Sequence, residues 1–366
     1  MSKNLIILRK KKPEIKKKMS SENIVESNRV ETDNKKLTIQ NEQENENQNN
    51  EMAENDIKTQ EAQPNETTKM ESKMLIIILS IISLIFLILT IIFLVLYVKK
   101  DDDDDDKETT YEQKEQNITT SKGQNIYGIL YLPEKKNSYT VIFCHGFGVT
   151  HTDNQEYAEY LAKYGYVTYI FDFRGGGPES KSDGQMTEMT PLTEKEDLGE
   201  VYNFLIEQEY TSKEKVFLVG NSQGGFVSSL YAADNKDNIA GLLLFFPALV
   251  IPGNMRDQFP NLSIVPDIIT NYLFGMSIGK VYIESVYTMD AYEYLKGYDK
   301  QVIILHGIED VVVPYSSSVT ACEKYGTTCR LILYEGGDHG LTGEVPRKKS
   351  LQDTLHYFND LVNGVF

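Results

Sequence analysis

Met74 to Val98 is a run of 25 residues without a single charge, its Ile, Leu, Phe and Val interrupted only by Ser80, Ser83 and Thr90. As a helix it would reach roughly 37 Å, enough to cross a bilayer core with some tilt. A buried helix of a soluble protein would carry a polar stripe along such a length. The run therefore predicts one transmembrane helix over residues 74–98, and the two flanks must be read as separate territories.

The N-terminal flank, residues 1–73, holds 14 basic and 14 acidic residues and includes the polar stretch Asn41 to Glu51. With so little apolar surface it cannot offset the entropy of ordering, which predicts a disordered tail. Eight of its first eighteen residues are Lys or Arg. Such a block suits anionic lipid headgroups or an acidic partner, or else is a solvated run. It is no signal peptide, since only Leu5 to Leu8 are apolar before the basic block.

Residues 99–117 form an acidic juxtamembrane linker. Asp101 to Asp106 repel one another and keep the chain extended. The run ends in Lys107, so it also resembles the activation sequence of trypsinogens. Lysines within about 20 residues of the span are Lys58, Lys69 and Lys73 on one side and Lys99, Lys100, Lys107 and Lys114 on the other, a near balance. Moving a charged tail of 73 residues across a membrane ahead of the span is mechanically unfavourable. A type II topology is therefore expected, with the tail cytosolic and the large domain extracellular or lumenal. The sequons at Asn117 and Asn261 agree, although Asn65 lies on the other side. Cys322 and Cys329 are near enough in sequence to pair in an oxidising compartment.

The whole net charge of −17 lies beyond residue 73. That balance excludes nucleic acid as a partner, because phosphates need a basic surface. Three cysteines without a CxxC pair give neither a disulfide scaffold nor a zinc site, and no metal or organic cofactor is implied.

From residue 118 to 366 short apolar runs alternate with helical stretches. Val141–Cys144, Tyr166–Phe171, Val216–Val219, Leu242–Phe246, Val302–Leu305 and Leu331–Tyr334 read as strands; Glu156–Tyr164 and Glu194–Glu207 read as helices. The alternation predicts an α/β domain with a doubly wound, mainly parallel sheet. Strand Lys215–Val219 runs into Gly220-Asn221-Ser222-Gln223-Gly224-Gly225 and then into the helical Phe226–Ala233. This is G-x-S-x-G in its strand–turn–helix setting, which exposes Ser222 above a sheet and at a helix start.

A serine needs a base, and the base an orienting acid. Of five histidines, His145 belongs to the His145–Gly148 motif, His151 to a polar loop, His306 to strand packing and His356 to the C-terminal helix. His339 remains, on a loop just past a strand. Asp310 follows the preceding strand in the same way, with Glu309 as its rival and Asp338 as a neighbour of the base. The order Ser222, Asp310, His339 is that of the strand–turn–helix serine architecture. Two backbone amides, of Gln223 and Phe147, are placed to hold an oxyanion.

These stretches, with Asp172-Phe173-Arg174-Gly175, Met189-Thr190, Glu196-Asp197-Leu198 and His306-Gly307 to Pro314, resemble the α/β-hydrolase superfamily. The likeness is to cinnamoyl/feruloyl-esterase-like proteins and to the overlapping serine aminopeptidase-like and monoacylglycerol-lipase-like groups. It implies the same triad and the same Phe147/Gln223 oxyanion pair. Two departures bear on the acyl pocket: Asn221 stands where the family carries His, and Gly175-Gly176-Gly177 where it carries Gly-His-Gly. A cap insert is expected over about 249–297. Its Tyr272, Phe274, Tyr282, Tyr287, Tyr292 and Tyr294 either cover an acyl group or pack the cap's own helices. The expected activity is a membrane-anchored serine hydrolase acting on small neutral esters. Amide hydrolysis, lipase action, acyl transfer and an idle binding module are the alternatives.

Overall fold

A computed structural model describes residues 66–103 and 108–365. The chain divides into two compact units, residues 1–100 and 101–366, and each is considered on its own. The expectations for residues 1–65 and for Asp104–Lys107 lie outside the described residues.

The described residues of the first unit belong to the helix α1, Glu66–Asp103, longer at both ends than the apolar run. Its segment Lys73–Ile92 has a mean hydropathy of 3.3 and no buried part, so by length and composition it can cross a membrane. Two of its hydroxyls turn back on the helix: Ser80 Oγ donates to Ile76 O at 2.8 Å and Thr90 Oγ1 to Phe86 O at 2.7 Å. Such back-bonding satisfies a polar group inside an apolar segment without another partner.

In the second unit the sheet strands are β1 (Tyr111–Glu115), β2 (Gly128–Pro133), β3 (Thr140–Cys144), β4 (Val167–Phe171), β5 (Val216–Asn221), β6 (Ile239–Phe245), β7 (Val302–Gly307) and β8 (Cys329–Tyr334). Their spatial order is β1-β2-β4-β3-β5-β6-β7-β8. β1 and β2 pair antiparallel, as do β2 and β4, and the remaining pairs are parallel. The helices are α2 (Gln155–Lys163), α3 (Pro191–Ile206), α4 (Gln223–Asp234), α5 (Ile251–Gln258), α6 (Lys280–Val286), α7 (Ala291–Tyr294), α8 (Ser316–Tyr325) and α9 (Glu344–Val362).

Strands β3, β4, β5 and β7 are buried at every position because both faces are covered. Val141, Phe143, Phe217, Val219, Leu243 and Leu305 point to one side, into a core shared with Tyr157, Ala158 and Leu161 of α2 and Leu355 and Phe358 of α9. Ile142, Cys144, Leu218, Leu244 and Ile304 point to the other, against Leu198 and Val201 of α3 and Phe226 and Leu230 of α4. Thr190 starts α3 through a capping box with Thr193, with Pro191 in the first turn.

One boundary and one side-chain environment differ from the sequence expectation. β1 lies inside the segment read as a linker, and Thr109 N already donates to Lys163 O, so the ordered domain starts before residue 118. Tyr-Glu-Gln-Lys-Glu is a polar edge strand, and an edge strand needs no apolar run. His151 is likewise buried in a short 3₁₀ turn rather than solvated in a polar loop, because Asp172 takes both its backbone N–H and its Nδ1 at 2.7 Å.

Candidate active site

Ser222 follows β5 directly and caps α4 at φ 50°, ψ −115°. A left-handed φ is strained for a residue with a side chain, and such strain is held only where the surroundings fix it, at about 1–3 kcal/mol. Here the turn is clamped by close backbone approach. A Cβ on Gly220 would lie 2.4 Å from Gly224 O, and one on Gly224 would lie 2.2 Å from Cys144 O. Only glycine fits at either place. Ser222 N donates to Phe245 O on β6, which fixes the turn above the sheet.

The loop after β3 carries Phe147. Gly146 lies against Ser222, since a Cβ there would be 3.3 Å from Ser222 Cβ, and Gly148 N donates to Gly176 O at 2.9 Å. Neither Phe147 N nor Gln223 N donates a hydrogen bond among the described residues. His145 ties this loop to the next: its Nδ1 meets Gly146 O and its Nε2 accepts from Phe173 N at 3.0 Å. Burial lowers its pKa, so it stays neutral within the packing. Asn221 Nδ2 donates to Asn154 Oδ1 at 2.7 Å and Asp153 Oδ2 at 3.1 Å, which joins the end of β5 to the 3₁₀ turn.

Asp310 and His339 sit on the loops after β7 and β8. These loops are stitched together by Ile308 N to Tyr334 O and Glu309 N to Gly337 O. Asp310 Oδ1 accepts from the amides of Val312 and Val313 at 2.8 Å each. Its Oδ2 lies 2.7 Å from His339 Nδ1. A carboxylate only accepts, so His339 donates from Nδ1, and the neutral ring then offers Nε2 as an acceptor. Burial alone would raise the Asp310 carboxyl. Hydrogen bonds from His306 and His339 and from the Val313 amide outweigh it and hold the group well below the usual carboxylate range. The His339 ring packs on Phe246, centroids 4.6 Å apart, and Phe246 follows β6 beside the serine turn.

Among the described residues the Asp310–His339 contact is formed, whereas no hydrogen bond joins Ser222 to His339. Catalytic contacts of this type often tighten only around substrate. Glu309 is exposed, and Asp338 is engaged with the amide and hydroxyl of Thr342, so neither competes for the base. His356 is exposed on α9. His306 exceeds its expected packing role: its Nε2 reaches Asp310 Oδ2 at 3.1 Å and Val313 O at 2.9 Å, while Nδ1 pairs with Ser318 Oγ at 2.7 Å. Its place at a strand end four residues before the acid was the available signal. No group of three or more His, Cys, Asp or Glu arranged to hold a metal occurs among the described residues.

The segment between β6 and β7, where the sequence suggested a cap, holds α5, a hairpin (Ile268–Leu273 and Met276–Gly279), α6 and α7. Tyr287 donates to Phe259 O and Tyr294 to Asp234, which is packing, whereas Tyr272 and Tyr282 meet the ring of Phe147.

This strand order, with a strained serine after β5 and an acid–histidine pair after β7 and β8, is that of the α/β-hydrolase fold. The superfamily resemblance read from the sequence holds in comparison with known proteins. Residues 135–285 match the family model of the S33 serine aminopeptidases. A Mycoplasma pneumoniae protein whose name assigns it to the esterases and lipases is 24% identical over 250 residues, covering 61% of this chain and 90% of its own. The uncharacterized YqkD of Bacillus subtilis is 23% identical over 263 residues, covering 68% and 82%. Among solved structures, Est1E of Butyrivibrio proteoclasticus with bound ferulic acid shares the fold at a TM-score of 0.61 and 23% identity, covering 68% of this chain and 99% of that one.

Proposed function

We propose that this protein is a membrane-anchored serine hydrolase that cleaves carboxylic esters through an acyl-enzyme on Ser222. The observation that carries the reading is the 2.7 Å contact of Asp310 with His339 Nδ1, which orients the ring so that its neutral form offers Nε2 as a base, together with the strained turn at Ser222. His339 takes the Ser222 proton as Oγ attacks the ester carbonyl. The amides of Phe147 and Gln223 donate to the oxyanion of the tetrahedral intermediate. His339 then gives its proton to the departing alcohol, and a water activated by the same nitrogen releases the acid. Asp310 stays ionised throughout and orients the ring. Ferulic acid in Est1E makes hydroxycinnamate esters sensible first substrates.

The anchor is α1, with the domain on the extracellular or lumenal face. The basic tail then faces the cytosol, where an anionic lipid surface or an acidic partner would suit it. A second reading, amide cleavage from a peptide, is favoured by the S33 family match. A fluorophosphonate probe on the detergent-solubilised protein tests the shared chemistry. Wild type should label, and Ser222→Ala and His339→Ala should not; a folded wild type that fails to label ends the hydrolase reading. p-Nitrophenyl esters against aminoacyl-arylamides then separate the two.

A further inference from the structure

Gln223 supplies more to the site than an amide. Its side chain is buried at 1% exposure, with Nε2 donating to Glu194 Oε2 of α3 at 2.9 Å. Its Oε1 accepts from the hydroxyl of Tyr282 at 2.5 Å. Tyr282 belongs to α6 of the cap and is itself buried. The Tyr282 ring stands edge-on to Phe147, centroids 6.3 Å apart, and Tyr272 closes the trio at 5.7 Å from Phe147 and 5.9 Å from Tyr282. One cap side chain thus touches both residues whose amides face the oxyanion, through a hydrogen bond to one and a ring contact to the other. The cap presses on the same loop again at Met276, which fills the space beside Gly148.

We infer that Tyr282 is a positioning residue that holds the Gln223 and Phe147 amides in register, so that seating of the cap and assembly of the oxyanion hole are one event. The inference rests on the serine-hydrolase reading above. An oxyanion hole acts through preorganised donors, and a shift of a few tenths of an ångström in either amide weakens the transition state more than the ground state. The cap then governs turnover even for an ester too small to reach its walls.

The test uses the full-length protein, p-nitrophenyl acetate and a trifluoromethyl ketone, which forms a tetrahedral oxyanion on an active serine. Tyr282→Phe removes one hydroxyl and keeps the ring. Its kcat should fall about tenfold, with KM changed less than twofold and the ketone Ki raised by the same factor as kcat/KM is lowered. Unchanged kcat and Ki, or a fall in kcat without a matching rise in Ki, overturns the inference. Gln223→Met keeps the amide, removes the acceptor and should give the same paired loss, so a poorly folded Tyr282→Phe leaves the question answerable. A wild type that neither hydrolyses the ester nor binds the ketone overturns the serine-hydrolase reading and this inference with it.

Discussion

His306 Nε2 stands 3.1 Å from Asp310 Oδ2, the same oxygen that meets His339 Nδ1 at 2.7 Å. Both residues have no side-chain exposure, and both are fixed from behind, His306 by Ser318 and Asp310 by two amides. The acid of the proposed triad is thus held on four sides, and its remaining freedom is set by a histidine that never meets the substrate.

His306→Ala should therefore lower kcat while leaving KM within about twofold. Loss of a hydrogen bond to a charged group is worth about 1.5–3 kcal/mol, or on the order of ten- to a hundredfold in rate if it is felt in the transition state. His306→Asn, which can keep a donor near Asp310, should recover part of the loss. Steady-state kinetics on a single ester decides it, and an unchanged kcat would confine His306 to packing.

The same carboxyl shapes stability in acid. Its pKa is lowered in the folded protein from an ordinary value of 3.8, so its contribution is present above that pH and is lost as pH falls through the lower, folded value. The melting temperature of wild type should exceed that of Asp310→Asn at pH 7, and the gap should close progressively below about pH 4. A gap independent of pH would mean that the carboxylate is not what His306 and His339 stabilise.

How much of this was legible in the sequence depended on whether a feature was local. The serine turn could be read because strand, glycines and helix are contiguous and each residue type has a steric reason. The antiparallel β1 could not, since an edge strand such as Tyr111–Glu115 needs only a partner. His306 read as packing because its environment is that of a core residue, and only the folded loop brings Asp310 back over it. Tyr282 could be read only as one of the cap aromatics, and its bond to Gln223, 59 residues away, is invisible for the same reason.

Thiol chemistry offers a test of compartment. Cys322 and Cys329 form a disulfide across seven residues, and Cys144 is the remaining cysteine. Burial pushes the Cys144 thiol up to about 12, which removes thiolate as well as access. The native protein should show no thiol reactive to a disulfide reagent, one after unfolding and three after reduction. Asn117 and Asn261 are both exposed, so expression in a glycosylating cell should add glycans at these sites if the domain is lumenal. Absence of any glycosidase-sensitive shift, with all three thiols free, would place the domain in the cytosol.

Glu194 carries the prediction with the opposite sign. Its carboxyl is fully buried, with Oε2 accepting from Gln223 Nε2, Asp197 on its own helix, the Cys144 thiol and Tyr282 hydroxyl near enough to feel its charge, and no partner for Oε1 among the described residues. Burial raises its pKa well above 4.5, the Asp197 charge adds to the rise, and the Gln223 bond only partly opposes it. The folded state therefore binds this proton more tightly than the unfolded chain. Its stabilising effect is complete below pH 4.5 and declines as pH climbs towards the folded value, by up to about 1.4 kcal/mol per pH unit. Glu194→Gln keeps the shape and an acceptor for Gln223 but cannot ionise. Its melting temperature should match wild type near pH 4 and exceed it increasingly as pH rises above 4.5, with kcat little changed where Glu194 is protonated. A variant that is less stable at every pH would show that an ionised Glu194 is held in place, and would reverse the assignment of its charge.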